Sequence, residues 1–373
     1  MSKETAEWLN THTLIGDTDR RGNAWHYRAD LQDGEGNHYP GAIPLNDIQR
    51  RLFDWTPVSV PVYVKVPCSE DEALGYAKDG GAITSEVQLS DDGTSSGRQF
   101  FRFIERPGRQ NITADDDVES DFGMFRPGYQ IHGYWEWLGQ NVANLVDGEV
   151  HASSAGLLKN RAQAWVELSL SETQSVADFP FRAHLLAYTS LDGTLATTYK
   201  RAVQAVVCDN TLSAAVSEQG GQIVKVKHSK YSKLKMATAR DALGIIVATA
   251  DDFSAQVNEL LSVKVTPKHW SRVLDITSPV VDEKGQPLAP MSVTKAEARR
   301  ERLTTMYRSD LRCAPWTGTA FGVLQTFNTY FHHERKVNTG TNRAERNMSD
   351  AIRGVTADHD AEILSVINLV TAT

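Results

Sequence analysis

Apolar and polar residues alternate along VSVPVYVKVP (58–67), which predicts a strand. The preceding LNDIQRRLFDW (45–55) repeats its apolar positions at helical spacing, so a helix is expected there. Turn-rich segments such as GDTDRRGN and QDGEGNHYPG come before it. Residues 69–123 are polar, with short strands predicted at SEVQLS and RQFFRFIER, separated by DDGTSSG and followed by the acidic loop TADDDVESDFG. In PGYQIHGYWEWLGQNVANLVDG (127–148), Tyr134, Leu138, Ala143 and Leu145 fit a helix ended by Gly148. Its aromatics suit core packing better than base stacking.

Antiparallel strands are expected at RAQAWVELSL, FRAHLLAYTS and TLATTYKRAVQAVV, the last two flanking the turn Leu191-Asp192-Gly193. A helix-like NTLSAAVSE follows. Then comes Gln222 to Gly244, QIVKVKHSKYSKLKMATARDALG: its first part alternates as a strand and puts Lys225 and Lys227 on one face. The remainder reads as a helix with Met236, Ala239, Leu243 and Ile246 as an apolar stripe, flanked by Lys233 and Arg240 on one side and Lys235 on the other. From about 252 helices are predicted at DDFSAQVNELLSV, KAEARRERLTTMYRSDL, TGTAFGVLQTFNTYFHHER and near 342–370, with SPVVDEKGQPLAPMS as a linker-like loop. These elements predict an α+β fold, a curved antiparallel sheet backed by helices (a β-β-β-α-like core). Three regions follow: an acidic, loop-rich 1–150 with short strands, a sheet and basic helix over 151–250, and a helical 251–373.

The composition is that of a globular protein, 40% hydrophobic and 23% charged with net charge −8. No run of 18 apolar residues occurs and MSKETAEWLNTH lacks an apolar signal region, so no membrane partner and a cytoplasmic location are expected. Cys68, Cys208 and Cys313 lie far apart and give neither a disulfide frame nor a metal pair. Charge changes the picture more. Residues 1–150 hold 25 acids against 13 Lys/Arg, net −12, while 151–373 hold 22 against 26, net +4. Within Gln222–Gly244, five lysines and one arginine occur with no acid before Asp241. A strand and helix that gather cations yet keep a core face suit a polyanion; a solvated amphipathic helix is the bland alternative.

Motifs for chemistry are absent: no P-loop, no G-x-G-x-x-G after a strand, no G-x-S-x-G and no H-E-x-x-H. Adjacent His332 and His333 diverge by about 100° on a helix and cannot easily share an ion. The acidic run 113–123 lacks EF-hand spacing and reads as a solvated loop. His26, His132, His184 and His228 have no sequence-local carboxylate that would mark a general base. No enzyme, cofactor or metal is expected.

Several segments carry a resemblance: Ala24-Trp25-His26, PVYV at Pro61–Val64, Gly128-Tyr129-Gln130-Ile131, the strand Arg161–Leu170, VVCDNTL at Val206–Leu212, KHSKYSKLKMATARDALG, and TGTAFGVLQTFNTYFHHER at Thr317–Arg335. With them the chain resembles the phage/plasmid-like family called domain of unknown function 932. Phe321 stands where members usually carry Trp, and the N-terminal third diverges more. The family is similar to Rad-fifty-two-type single-strand annealing proteins, which implies oligomeric rings or filaments that hold a DNA backbone in a basic groove. On that reading the chain is a non-enzymatic phage protein of the infected host's cytoplasm that binds and anneals single-stranded DNA. Lys225, Lys227, Lys230, Lys233, Lys235 and Arg240 would meet phosphates, extended by Lys159, Arg161, Lys200 and Arg201, with Tyr231 and Tyr199 stacking on bases. Two alternatives stay open. One is an interaction protein that engages a host factor through acidic residues 1–150. The other is an unrecognised metal-dependent nuclease using carboxylates such as Asp115, Asp116 and Asp121.

Overall fold

The computed structural model describes residues 12–16, 35–37, 39–89, 95–143, 150–170, 174–205, 210–212, 223–229, 246–337 and 343–372. The strands are β1 (Thr13–Ile15), β2 (Pro57–Cys68), β3 (Ile83–Leu89), β4 (Ser95–Ala114), β5 (Gly123–Phe125), β6 (Val150–Leu158), β7 (Gln163–Leu170), β8 (Gln174–Val176), β9 (Phe179–Ser190), β10 (Thr197–Ala205), β11 (Asn210–Leu212) and β12 (Ile223–Val226). The helices are α1 (Leu45–Leu52), α2 (Glu70–Lys78), α3 (a π-helical Trp135–Gln140 continuing as Asn141–Ala143), α4 (Ile246–Ser262), α5 (Pro267–Thr277), α6 (Pro290–Ser309), α7 (Ala320–Thr329, continuing as a π-helical Tyr330–Glu334), α8 (Arg343–Arg353) and α9 (Val355–Thr371). The fold is α+β with antiparallel sheets and a helical C-terminal region.

The main sheet has the order β1-β6-β7-β9-β10-β11, with β8 added to β9 and β12 added to β10 beside β11. Every residue of β7 is buried, so both faces of the sheet are covered there. On one face a row of cross-strand neighbours, Leu14, Ala155, Val166, Ala187 and Tyr199, enters the main core with Ile48 and Leu52 of α1 and Leu138 and Val142 of α3. The next row, Gly156, Trp165, Tyr188, Thr198 and Lys225, faces the other way. There Trp165 and Tyr188 pack with Leu158, Leu186 and Ile352 of α8. Gly156 is required in that row, since a Cβ would stand 2.1 Å from the Trp165 indole.

The core crosses residue 150: Trp55, Ile112, Phe122 and Tyr134 share it with the strands of the main sheet. The second sheet, β2-β4-β3 with β5 on β4, reaches this core only through its root. Pro57, Ile112 and Ala114 are buried, whereas none of residues 58–68, 83–87 and 97–109 is. The C-terminal helices form a second core in which the Trp270 and Tyr307 rings stack at 4.2 Å.

Several local expectations change. Asn210–Leu212 is strand, not helix, because β10 offers an open edge to pair with. The helix expected near 342–370 is two helices broken at Gly354, whose φ of +82° is left-handed. Helices α2 and α5 escaped the sequence reading; both begin with a capping box, at Ser69 and Thr266. The described part of the aromatic helix ends at Ala143. The basic helix expected after Lys230 lies outside the described residues, which resume at Ile246 in α4.

The β6–β7 turn carries Lys159, Asn160 and Arg161, all at positive φ (49°, 50° and 68°). Such conformations cost roughly 1 kcal/mol or more per residue and persist only when surroundings fix them. Here Arg161 donates to both Asp116 carboxylate oxygens at 2.9 and 3.2 Å and lies 4.6 Å above the Trp55 ring. Its own carbonyl accepts the Tyr134 hydroxyl at 2.7 Å, and Lys159 faces Asp192 at 3.7 Å. The pairing with Arg161 holds the Asp116 carboxyl below its ordinary range. Prediction: Arg161→Ala lowers stability by about 1–2 kcal/mol, the range for a partly exposed charge-assisted pair with stacking. An unchanged urea midpoint would show the clamp to be idle.

Candidate nucleic-acid interface

The alternation of IVKV places Val226, fully buried opposite Thr197, in the core and Lys225, opposite Thr198, on the other face, where it is exposed. Lys227 follows and is also exposed. Lys200, two residues along β10 from Thr198, shares the face of Lys225 and is half-buried. This is the face that α8 covers with Ile352 farther across the sheet. Arginines gather at that helix. Arg335 and Arg353 bind the buried Asp350 carboxylate, while Arg343 and Arg346 donate to the carbonyls of Arg335 and, from Arg346, Phe331. Burial, reinforced by Arg335 and Arg343, brings the Arg346 guanidinium down to about 10.

The structure thus puts Lys200 and Lys225 on one face, with Lys227 two residues beyond Lys225. Lys159 and Arg161 sit in the β6–β7 turn, where they pair with Asp192 and Asp116. The expectation for Tyr199 is corrected. This side chain is 1% exposed on the opposite face, where its hydroxyl donates to the Trp137 carbonyl at 2.6 Å and accepts from Asn141 at 3.0 Å, so no base can stack on it. Lys230, Tyr231, Lys233, Lys235 and Arg240 lie outside the described residues, as does the side chain of Arg201. Of the carboxylates considered for a nuclease, Asp115 accepts the Thr56 amide at 2.7 Å and Asp116 holds Arg161. Among the described residues no group of three or more metal-ligating side chains forms.

Sequence reasoning missed what lies at the root of the basic segment. His228 directly follows Lys227 and is stacked between Tyr129 (4.9 Å) and His132 (3.9 Å), in a column closed by Phe125 on Tyr129 (3.9 Å) and Trp137 on His132 (3.7 Å). The planes differ by 10–19°. The Gln130 carbonyl, 3.0 Å from His228 Nδ1, can only accept, so Nδ1 carries a hydrogen. A second backbone carbonyl, that of Leu195, also accepts from the ring. His228 Nε2 lies 3.3 Å from Thr189 Oγ1, the Thr189 and Thr197 hydroxyls share a hydrogen bond at 2.7 Å, and Thr197 Oγ1 bonds His132 Nδ1 at 2.6 Å. His132 Nε2 remains buried without a partner.

Burial, then the neighbouring His228, lowers His132 to about 3; burial also lowers His228, opposed by its bonds to backbone carbonyls. Both rings are neutral at neutral pH. No local motif could have exposed the pair, since the two histidines meet only through the fold. The Gly128–Ile131 and KHSK segments that bracket them were already singled out as distinctive.

A group whose folded pKa lies below its unfolded value binds protons preferentially when unfolded, so stability is full above the unfolded pKa and declines as pH falls. For His132 the window runs from about 6.5 down to about 3. Prediction: stability falls in that window by up to about 1.4 kcal/mol per pH unit for each such histidine. Urea melts at stepped pH should show the slope reduced in His132→Phe by one histidine's share. The buried His332, also lowered to about 3, keeps part of it in that variant.

A family model described as Domain of unknown function (DUF932) matches residues 121–353, from the loop before β5 to the end of α8. No curated protein and no solved structure matches the chain.

Proposed function

The chain belongs to the DUF932 family, and we propose that it binds and anneals single-stranded DNA without catalysing a chemical step. The observation that carries this reading is the exposed pair Lys225 and Lys227. Lys225 stands on the face that also bears Lys200, and the pair heads a segment whose sequence continues with Lys230, Tyr231, Lys233, Lys235 and Arg240. Annealing requires a strand held by its backbone with base edges accessible, which cations on a sheet edge provide and a closed pocket does not. The stacked His228 supports this by fixing the backbone directly after Lys227. Among the described residues no helix is long and apolar enough to cross a membrane. We place the protein in the cytoplasm of a phage-infected bacterium, acting in recombination or replication.

Fluorescence anisotropy with a labelled single-stranded oligonucleotide tests this across a salt series. Each phosphate contact on a single strand contributes about 0.7 to the slope of log K against log salt. Prediction: Lys225→Glu/Lys227→Glu weakens binding at least about tenfold at low salt and flattens the slope by about 1.4. Absence of binding by the unaltered chain at 50 mM salt, or an unchanged slope in the variant, overturns the reading.

A further inference from the structure

We propose that the arm formed by β2, β3, β4 and α2 docks against the same arm of a second copy of this chain. The inference is independent of DNA binding, and the arm precedes the span matched by the family model. Its first support is what the arm lacks. Beyond its root, Ala73 of α2 is the only fully buried side chain among residues 58–87 and 97–109. A few strands without a covered hydrophobic face are not independently stable in water. Yet β4 runs for 20 residues and pairs along most of its length, with β2 on one side and β3 on the other. Tyr63 (53% exposed) and Val87 (55%) stand on opposite faces of this arm, with Ile83 and Ile104 also exposed.

The second support is charge. Arg98, Arg106 and Arg109 of β4 are exposed, as are Glu70 and Asp71 of α2 and Asp79 at its end, and among the described residues none of these makes an ion pair. Both signs on one arm are self-complementary: a two-fold operation can bring the acidic helix of one copy to the basic strand of the other, and the reverse. The acids disfavour a polynucleotide as occupant, because they would repel phosphates along the arm. Pairing through the outer edge of β2 is disfavoured too, since Pro61 and Pro67 lack amide donors. Contact through faces and charges remains.

Analytical ultracentrifugation of the full chain, free of nucleic acid and over about 1–100 μM, tests this. A dimer or larger species is expected, and Tyr63→Asp/Val87→Asp should sediment as a monomer with its far-UV circular dichroism retained. A set with Arg98, Arg106 and Arg109 changed to Glu, and another with Glu70, Asp71 and Asp79 changed to Lys, should each self-associate at least tenfold more weakly. Mixed together, the two sets should restore assembly. A monomer at every concentration overturns the proposal, as does undiminished assembly of the variants or failure of the mixture. Loss of DNA affinity in a monomeric arm variant, with the unaltered chain also monomeric, would assign the arm to DNA instead. Because assembly is read without DNA, its failure leaves the nucleic-acid reading to its own test.

Discussion

The geometry of the basic edge depends on the buried stack around His228. Gln130 O accepts from His228 Nδ1, and a run of hydrogen bonds continues through Thr189 and Thr197 to His132. Burial disfavours the charged form of both stacked imidazoles. The hydrogen bonds tie β9, β10, the segment after β12 and the loop before α3 into one unit. They also guard register. A slip of one residue in β12 would turn Lys225 inward and Val226 outward, burying an unpaired ammonium and exposing a core valine.

Positive charge in this protein therefore has two distinct uses. Lys225 and Lys227 are held at the surface. Arg161 instead turns its planar guanidinium to a carboxylate and an indole, which Lys could not match. Arg343 and Arg346 serve backbone carbonyls at the end of α7, whose continuation past Thr329 leaves those acceptors unpaired within the helix. Residue type alone does not distinguish these uses; the acceptors beside each cation do.

What was legible in the sequence follows from that distinction. Alternation in VSVPVYVKVP and RAQAWVELSL marked strands because period two is local, and the α+β class followed from the order of such patterns. The orientation of Lys225 was legible for the same reason. The burial of Tyr199 was not, although it alternates with Thr198 and Lys200, because an alternating pattern names two faces without saying that both are covered. The pairing of Asp116 with Arg161 spans 45 residues and that of His132 with His228 spans 96, distances over which no spacing rule reports contact. The break at Gly354 was local but ambiguous, since glycine within an apolar pattern is compatible with a continuous helix.

The acidic loop shows how much such a contact can decide. The segment TADDDVESDFG is exposed over Asp115–Glu119, as expected of a solvated loop, and is also the joint between the arm and the main sheet. Strand β4 ends at Ala114, and the next residue, Asp115, exchanges hydrogen bonds with Thr56 at the start of β2 through both its amide and its carboxylate. Asp116 then grips Arg161 in the β6–β7 turn, and Trp55 beneath that guanidinium packs on Phe122 and Tyr134 in the core. The arm makes few buried contacts of its own, so its direction is set at this root alone. A bare arm on a soft root would sample many directions and lose the entropy of choosing one whenever it docked. The three positive-φ residues of the turn present Arg161 to this joint, and its contacts with Asp116 and Trp55 offset the strain they carry.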